Sequence, residues 1–479
     1  MDPAALYWTY IAAVIDLRSS KEIDIDGAIP IRGLLCNCFC AILLISDCHT
    51  HSTTLAMPLF WNRKAQASAP TSPVSETSSL HTQLPTPASV ETKIHLSFAA
   101  TAWLDALGAP QDSRKRGSFP FVTTMLPNEN FNFPPGVWTD DTSMMLCLAH
   151  SISTYQDIRI PDVIGGFDEV HQMEQYRLWH KKGVFSATDE CFEIATTIRC
   201  ALEIFTRFSR DPGEALHRIR SDLGGERCSG NGSLMRVLPI GLAYWRDESQ
   251  AKQYAKRSSQ TTHPSVMCTE ACEMWTCAIA RIMEATTQPS DNNPQTPFSK
   301  LSLLEFISTF PYTSTKLHQS LTVPFIAPPR PESRVELEQY YYRYHPLLRL
   351  VSDTQGSPGL PNDSKFPYCI PTEDQLPTTI SVADSLVAAL YCFFTTKTFE
   401  EGALMAVNLG DGANTVGVVY AGLAACWYAA AEGKADRIFW TRRVKEWRRM
   451  SVRSDVIAET AQKLLAYEQR MSSEYAFVF

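Results

Sequence analysis

The chain has 479 residues and a formal net charge of −8 at pH 7, with 44% hydrophobic and 20% charged residues. These proportions are typical of a soluble globular protein with a sizeable core. The mild negative charge argues against a general nucleic-acid binder, because such a protein needs a basic face. The 14 cysteines lack the regular spacing of a secreted disulfide scaffold, which favours reduced thiols and an intracellular, cytoplasmic location.

The first 90 residues are predicted to precede the folded domain. Residues 1–63 read as a poorly defined extension, since the apolar run at 33–45 is too short to span a membrane and lacks the flanks of a secretory signal. The cysteines and histidines between 36 and 51 do not have the paired spacing of zinc modules, which disfavours metal binding there. Residues 64–90 are rich in Ser, Thr and Pro and are predicted to be a disordered linker.

The domain predicted for residues 91–471 is all-α, because apolar residues recur at helical spacing and strand signals are weak. Pro-rich insertions are predicted around 286–333 and 353–380. The uncharged stretch 416–431 is shorter than the roughly 20 residues that span a bilayer, so a central buried helix is predicted there. The predicted helices are 94–107, 189–208, 249–257, 266–285, 335–351, 382–391, 399–407 and 415–431.

A cluster of oxygen donors stands at residues 139–142, which read Thr-Asp-Asp-Thr and follow a Pro-Pro-Gly turn. Thr and Asp are residue types that cap a helix N-terminus, and apolar residues follow at helical spacing. Carboxylate and hydroxyl oxygens at such a point suit Mg²⁺. The alternative is an ordinary capped helix start with two solvated acids.

Three further stretches are candidates for the same site. The Gly-rich turn at 229–236 could present backbone N–H groups and Arg236 to phosphate oxygens, or be a plain connector. His263 precedes a predicted helix, where it could touch a ligand, although a lone histidine is more often structural. Residues 408–415 form a second turn before a helix and are again lined with oxygen donors.

Taken together, these motifs resemble the ADP-ribosylglycohydrolase family, which includes dinitrogenase reductase-activating glycohydrolase and the ADP-ribosyl-acceptor hydrolases. The resemblance runs in order from about residue 93 to residue 440, through 104–110, 136–142, 230–236, 262–263 and 406–410. It implies an orthogonal multi-helix fold with a central cleft for two Mg²⁺ ions. The implied activity is hydrolysis of the glycosidic bond between ADP-ribose and a protein side chain or related acceptor.

The resemblance also implies roles for individual residues. Asp112 and Asp141 are the implied catalytic residues, although Asp112 stands where the family usually has a Glu, whose side chain is one methylene longer. The implied ADP-ribose contacts are Gly230, Asn231, Gly232, Ser233, Met235 and His263. The implied metal ligands are Thr139, Asp140, Asp141, Asp411, Asn414 and Thr415.

The second group of metal ligands departs from the family pattern, since Gly412 and Asn414 stand where the family has two ligand aspartates. At an effective dielectric of about 20, each lost charge removes about 4 kcal/mol of attraction at contact distance before relaxation. Asp411 could compensate if the glycines let the turn rotate. We therefore expect one retained, weaker Mg²⁺ site and a second that is absent or degraded. Two hypotheses remain, a working hydrolase and a degraded member that binds ADP-ribose-like ligands or is structural. Acceptor contacts are expected from the loops between 286 and 380.

Overall fold

The computed structural model describes Leu80 and residues 88–287, 298–354, 370–434 and 437–478. All of them belong to the compact unit Val74–Phe479. The predicted extension, its cysteine and histidine group, and almost all of the predicted linker lie outside the described residues. The same holds for 288–297 and 355–369 in the predicted insertions.

Within the described ranges the chain forms 17 α-helices and no β-sheet, so the predicted all-α class is confirmed. The described residues 298–333 of the first predicted insertion contain two helices, Lys300–Thr309 and Thr315–Leu321, in addition to loops. The helices are α1 (Val90–Gly108), α2 (Asp140–Thr154), α3 (Glu169–Lys182), α4 (Thr196–Arg207), α5 (Pro212–Asp222), α6 (Leu238–Ala243), α7 (Glu248–Gln260), α8 (Val266–Thr287), α9 (Lys300–Thr309), α10 (Thr315–Leu321), α11 (Arg334–Tyr344), α12 (Pro346–Thr354), α13 (Val382–Thr395), α14 (Phe399–Val407), α15 (Ala413–Tyr428), α16 (Arg442–Met450) and α17 (Ser454–Val478).

Two of the predicted helices differ from the observed ones for reasons of backbone chemistry. The helix predicted for 189–208 begins only at Thr196, and Asp189 has a φ of 62°, which a right-handed helix does not permit. The helix predicted for 335–351 is two helices, α11 and α12, separated at His345. Because Pro346 lacks an N–H and crowds the residue before it, His345 adopts an extended ψ of 126°.

Helix α15 is the central helix, since every residue from Ala413 to Tyr428 is buried. It packs against α1 through small residues, and a Cβ added at Gly417 would lie 3.4 Å from Leu104. A Cβ added at Gly108 would lie 2.7 Å from the Cα of Asn414, so only glycine permits this approach. The close packing brings the start of α15 to the end of α1, where the candidate site lies.

The membrane alternative weighed for α15 finds no support in the described part of the chain, where none of the helices is long and apolar enough to cross a bilayer.

Candidate functional site

The first half of the site is the N-terminus of α2, which Thr139 caps. Asp105 of α1 lies beneath this turn, and its carboxylate accepts four hydrogen bonds. The backbone N–H groups of Thr139 and Thr142 donate to it at 3.0 and 3.1 Å, and their hydroxyls donate at 2.8 and 2.7 Å. A buried carboxylate with four donors fixes the turn that carries Asp140 and Asp141.

Five carboxyl groups, here called the acidic cluster, lie close enough to influence one another: Asp105, Asp112, Asp140, Asp141 and Glu193. Burial, followed by the neighbouring Asp105, raises the pKa of Asp140 to about 7 and raises the pKa of Asp141 well above its usual range. Burial and then Asp140 raise the pKa of Glu193 to about 8. Burial also raises the pKa of Asp112, and the nearby carboxyl group of Asp411 raises it further. Mutual repulsion of this kind suits a place that receives a cation.

The second half of the site is the turn before α15. Gly410 and Asp411 have φ values of 75° and 49°, in the left-handed region. Asp411 pairs through its backbone with the turn after Asp112, because its N–H donates to the Arg114 carbonyl at 2.8 Å and its carbonyl accepts from the Ser113 N–H at 3.1 Å. The Asp411 carboxyl group also raises the pKa of Asp112, so the second half lies close to this implied catalytic residue.

Arg116 fixes this turn from the other side. Its Nε donates to the Leu409 carbonyl at 2.6 Å, and its terminal nitrogens donate to the Pro371 and Leu376 carbonyls at 2.6 and 2.7 Å. The 370–380 segment, which belongs to a predicted insertion, is thereby held beside the site. The expectation that loops between 286 and 380 contact the acceptor stays a prediction.

The two halves meet at Asp141 and Asn414. The Asn414 Nδ2 donates to Asp141 Oδ2 at 3.2 Å, and both side chains are buried. The remaining oxygen of each, Asp141 Oδ1 and Asn414 Oδ1, is buried without a hydrogen-bond partner. An unpartnered buried oxygen is unfavourable, so two such atoms on paired side chains fit the ligand shell of a cation.

The donor set fits one hard divalent ion better than two. Among the described residues no group of three or more His, Cys, Asp or Glu side chains has a metal-binding arrangement. Gly412 offers no side-chain oxygen, and the Asn414 amide donates a proton toward Asp141 where a second aspartate would have added charge. The oxygens available to one ion belong to Asp140, Asp141, Asn414 and the two flanking threonines, Thr139 and Thr415, all of them buried.

The Gly-rich turn adjoins the second half. A Cβ added at Gly412 would lie 3.9 Å from the Asn231 side-chain nitrogen, and Gly230 and Asn231 are both partly exposed. The Asn231 N–H donates to the Ile380 carbonyl at 2.9 Å, and its side chain donates to Ser385 at 3.0 Å. One of the N–H groups expected to face phosphate is thus engaged within the protein.

The other predicted ligand contacts, at 232–235 of the same turn and at His263, lie inside the protein. Gly232, Ser233, Met235 and His263 are buried, and a Cβ at Gly232 would lie 2.8 Å from the His263 ring. Burial and then Arg236 lower the pKa of His263 to about 3. His263 therefore supports the turn as a neutral residue from inside the protein.

Arg236 is also inside and does not face the cleft, in contrast to the phosphate role considered from the sequence. It is fully buried and donates to the Gly232 carbonyl and the Thr262 hydroxyl, each at 2.7 Å, while its guanidinium lies 4.8 Å from the Tyr176 ring centroid. It holds the turn to the end of α7.

Three residues of the site were missed by the sequence interpretation. Asp105 lies in the 104–110 motif, more than 30 residues before the α2 turn that it bonds, and the sequence gives no sign of this contact. Glu193 was placed inside a predicted helix, whereas it lies in the loop before α4. Arg116 belongs to a polar stretch without periodicity.

Comparison with known proteins identifies the family. The profile described as ADP-ribosylglycohydrolase matches residues 86–473. This chain belongs to the ADP-ribosylglycohydrolase family. The resemblance inferred from the motifs is thereby confirmed.

Individual relatives of the family are distant. The chain is 23% identical over 328 residues to the ADP-ribosylarginine hydrolase Tri1 of Serratia proteamaculans (strain 568), covering 68% of each chain. It is 21% identical over 333 residues to the protein of the same name from Pseudomonas putida (strain GB-1), again covering 68% of each. Among solved structures, it is similar to an ADP-ribosylglycohydrolase-related protein complex with a TM-score of 0.49 and 26% identity, covering 79% of this chain and 99% of that one.

Proposed function

We propose that this protein hydrolyses the glycosidic bond between ADP-ribose and a protein side chain, with one Mg²⁺ ion as its cofactor. The observation that carries the proposal is the pair of unpartnered buried oxygens on Asp141 and Asn414, set in the acidic cluster beside the Gly230–Asn231 turn. Membership of the family supports the reaction class. The names of two relatives support arginine as the modified side chain.

The residues of this chain suit the two tasks of the reaction, which are to hold the sugar and to accept a proton. Asp112 is partly exposed beside the other acids, so its carboxylate can take a proton from a water molecule that attacks the anomeric carbon. The water oxygen forms the new bond to that carbon as the glycosidic bond breaks, and the proton that Asp112 took from the water is returned to the departing acceptor atom. The acidic cluster stabilises the positive charge that develops on the sugar ring.

The metal would be held by oxygens of Asp140, Asp141, Asn414 and the flanking Thr139 and Thr415. When bound, Mg²⁺ supplies a Lewis acid that polarises a hydroxyl or water oxygen and offsets the repulsion among the carboxylates. The predicted ligand Asp411 is tied through its backbone to residues 113–114, and its carboxyl group acts on Asp112.

A release assay tests the proposal. The protein is incubated with arginine- and serine-ADP-ribosylated peptides in Mg²⁺ or in EDTA, and free ADP-ribose is quantified. Release in Mg²⁺ that is abolished by EDTA and lowered at least about 100-fold by Asp112→Asn is the expected result. The matched control is Asp222→Asn, an exposed aspartate at the end of α5, which should release ADP-ribose at the wild-type rate. Failure of every peptide to release ADP-ribose would contradict it.

The second candidate is a family member that binds ADP-ribose without turnover, and Gly412 with Asn414 favours it. The same protein is titrated calorimetrically with free ADP-ribose. Binding together with no release in the first assay would establish this alternative.

A further inference from the structure

Three phenylalanine side chains form an aromatic cluster that no part of the proposed reaction uses: Phe131, Phe133 and Phe192. Their ring centroids lie 4.7 to 5.9 Å apart, with one stacked and two edge-to-face contacts. Phe131 is 37% exposed and the other two are partly exposed, so the cluster presents aromatic surface to solvent. The nearby Cys191 and Ile194 instead pack on the core.

The loop before α4 connects the aromatic cluster to the acidic cluster. Phe192 immediately precedes Glu193, whose carboxyl group is influenced by Asp140, Asp112 and Asp105. Two residues further along, the Ala195 backbone acts in the opposite sense and lowers the pKa of Asp140. The loop therefore joins Phe192 of the aromatic cluster directly to a residue whose carboxyl group interacts with those of the cleft.

The second loop reaches the same place from the other side. Phe133 and Asn128 exchange two backbone hydrogen bonds of 3.0 Å, which closes the turn that carries Phe131. The Asn128 side chain also donates to the Ala109 carbonyl at 3.4 Å, in the short helix that leads directly to Asp112. Phe131 and Phe133 are thus attached next to the proposed proton acceptor.

We propose that the aromatic cluster and the Glu193 carboxylate form a binding surface for the guanidinium group of the modified arginine. An aromatic face attracts a cation, and a planar guanidinium stacks on it. The charge of the guanidinium lowers the pKa of the neighbouring Glu193 from about 8, so this carboxyl group is ionised in the complex and complements the cation. A hydroxyl acceptor such as serine gains neither interaction. The surface therefore selects the acceptor, and this selection rests on the proposed function for the ADP-ribose half of the substrate.

The adenine ring of ADP-ribose is the other planar group that could stack there. It carries no positive charge that would favour the ionised form of Glu193, and it follows a negatively charged diphosphate, which the ionised acids of the cleft would repel. The Gly230–Asn231 turn instead lies on the opposite half, against Gly412. Charge thus assigns the aromatic cluster to the acceptor.

The test separates loss of the ring faces from loss of folding. The variant Phe131→Leu/Phe192→Leu keeps apolar volume and removes two aromatic faces, and Phe131→Tyr/Phe192→Tyr restores them. The matched control is Phe325→Leu, which changes a fully exposed phenylalanine after α10. KM and kcat are measured with arginine- and serine-ADP-ribosylated peptides, and free ADP-ribose is titrated calorimetrically.

We expect the leucine variant to raise the KM for the arginine peptide roughly tenfold, with kcat, the serine-peptide KM and the ADP-ribose affinity changed less than about twofold. The tyrosine variant and the control should match the wild type. Equal effects on both peptides, or no effect on either, would overturn the proposal. Weakened binding of free ADP-ribose would assign the surface to adenine instead.

A second measurement needs no hydrolysis. Agmatine, an alkyl guanidinium, is titrated into protein labelled with 4-fluorophenylalanine, and the fluorine resonances are assigned by single substitutions. Shifts at the three phenylalanines of the aromatic cluster support the surface even if ADP-ribose neither binds nor is released, in which case only the proposed function fails. Unshifted resonances overturn the surface even if hydrolysis is observed.

Discussion

The start of α2 and the start of α15 meet at the Asp141–Asn414 hydrogen bond, yet they are held in different ways. The α2 turn is fixed by side-chain chemistry, since one carboxylate, Asp105, accepts four hydrogen bonds from it. The α15 turn is fixed mainly by backbone pairing with residues 113–114 and by Arg116, and neither Asp411 nor Gly412 contributes a side chain to this support. Loss of two carboxylates from α15 therefore changes the charge of the site without removing what holds the turn.

The largest expected effect follows from that difference. Three of the four donors bond one Asp105 oxygen and one bonds the other, so Asp105→Asn leaves at least one buried donor facing an NH2 group. It should lower the free energy of unfolding by about 3 kcal/mol. Asp411→Asn is the matched change in the other half and should alter it by less than about 0.5 kcal/mol, because asparagine tolerates a φ of 49° and the turn is held by its backbone. Urea unfolding measures both, and equal losses would contradict the comparison.

Acid sensitivity should come from the Gly-rich turn that adjoins the α15 half. The pKa of His263 is about 3 when folded, below its usual value of 6.5, so the unfolded chain binds the proton first as pH falls. The contribution of the neutral ring to the free energy of unfolding is fully present above pH 6.5 and is lost progressively toward pH 3. About 2 to 3 kcal/mol is lost at pH 4.5.

The variant His263→Gln isolates this contribution, because glutamine is uncharged at both pH values. Unfolding free energies at pH 7 and pH 4.5 are compared for the variant and the wild type, in which all other titrating groups are shared. Between pH 7 and pH 4.5, the free energy of unfolding of the variant should fall by about 2 to 3 kcal/mol less than that of the wild type. Parallel losses would show that His263 is not the group responsible.

A smaller effect is expected when the missing carboxylates are supplied. Gly412 has a φ of −74°, and its added Cβ would approach only the Thr378 carbonyl closely, at 3.3 Å, so Gly412→Asp can be accommodated. Combined with Asn414→Asp it should raise Mg²⁺ affinity ten- to a hundredfold, or about 1.4 to 2.7 kcal/mol. Without metal the extra charges should lower the melting temperature below that of the wild type. Unchanged affinity would show that residue 412 does not face the ion.

The sequence predicts the parts of this molecule that depend on local pattern. Helix α14 has the predicted bounds, and the buried character of α15 follows from its uncharged, small-residue surface. The oxygen donors at 139–142 and the departures at 412 and 414 were visible because motifs are contiguous in the chain. Features of this kind can be predicted from the sequence because the residues that form them are neighbours both in the chain and in space.

Long-range contacts were not predictable in the same way. Arg236 looked like a phosphate ligand because it follows a glycine-rich turn, but its burial depends on the packing of α7 and on Tyr176. The helix predicted for 189–208 begins only at Thr196, so residues 189–195 form a loop. The Glu193 side chain of this loop interacts with Asp140 at the start of α2. Neither contact has a signature in the sequence within a few residues of the group itself.

Calorimetric titration of the wild-type protein with Mg²⁺ tests the central claim most directly, because the claim is that half of the metal site is retained. The account predicts one bound ion per chain, a binding signal that Asp141→Asn abolishes, and a second ion only after Gly412→Asp and Asn414→Asp are introduced together. Two tightly bound ions in the wild type, or binding that survives Asp141→Asn, would contradict it.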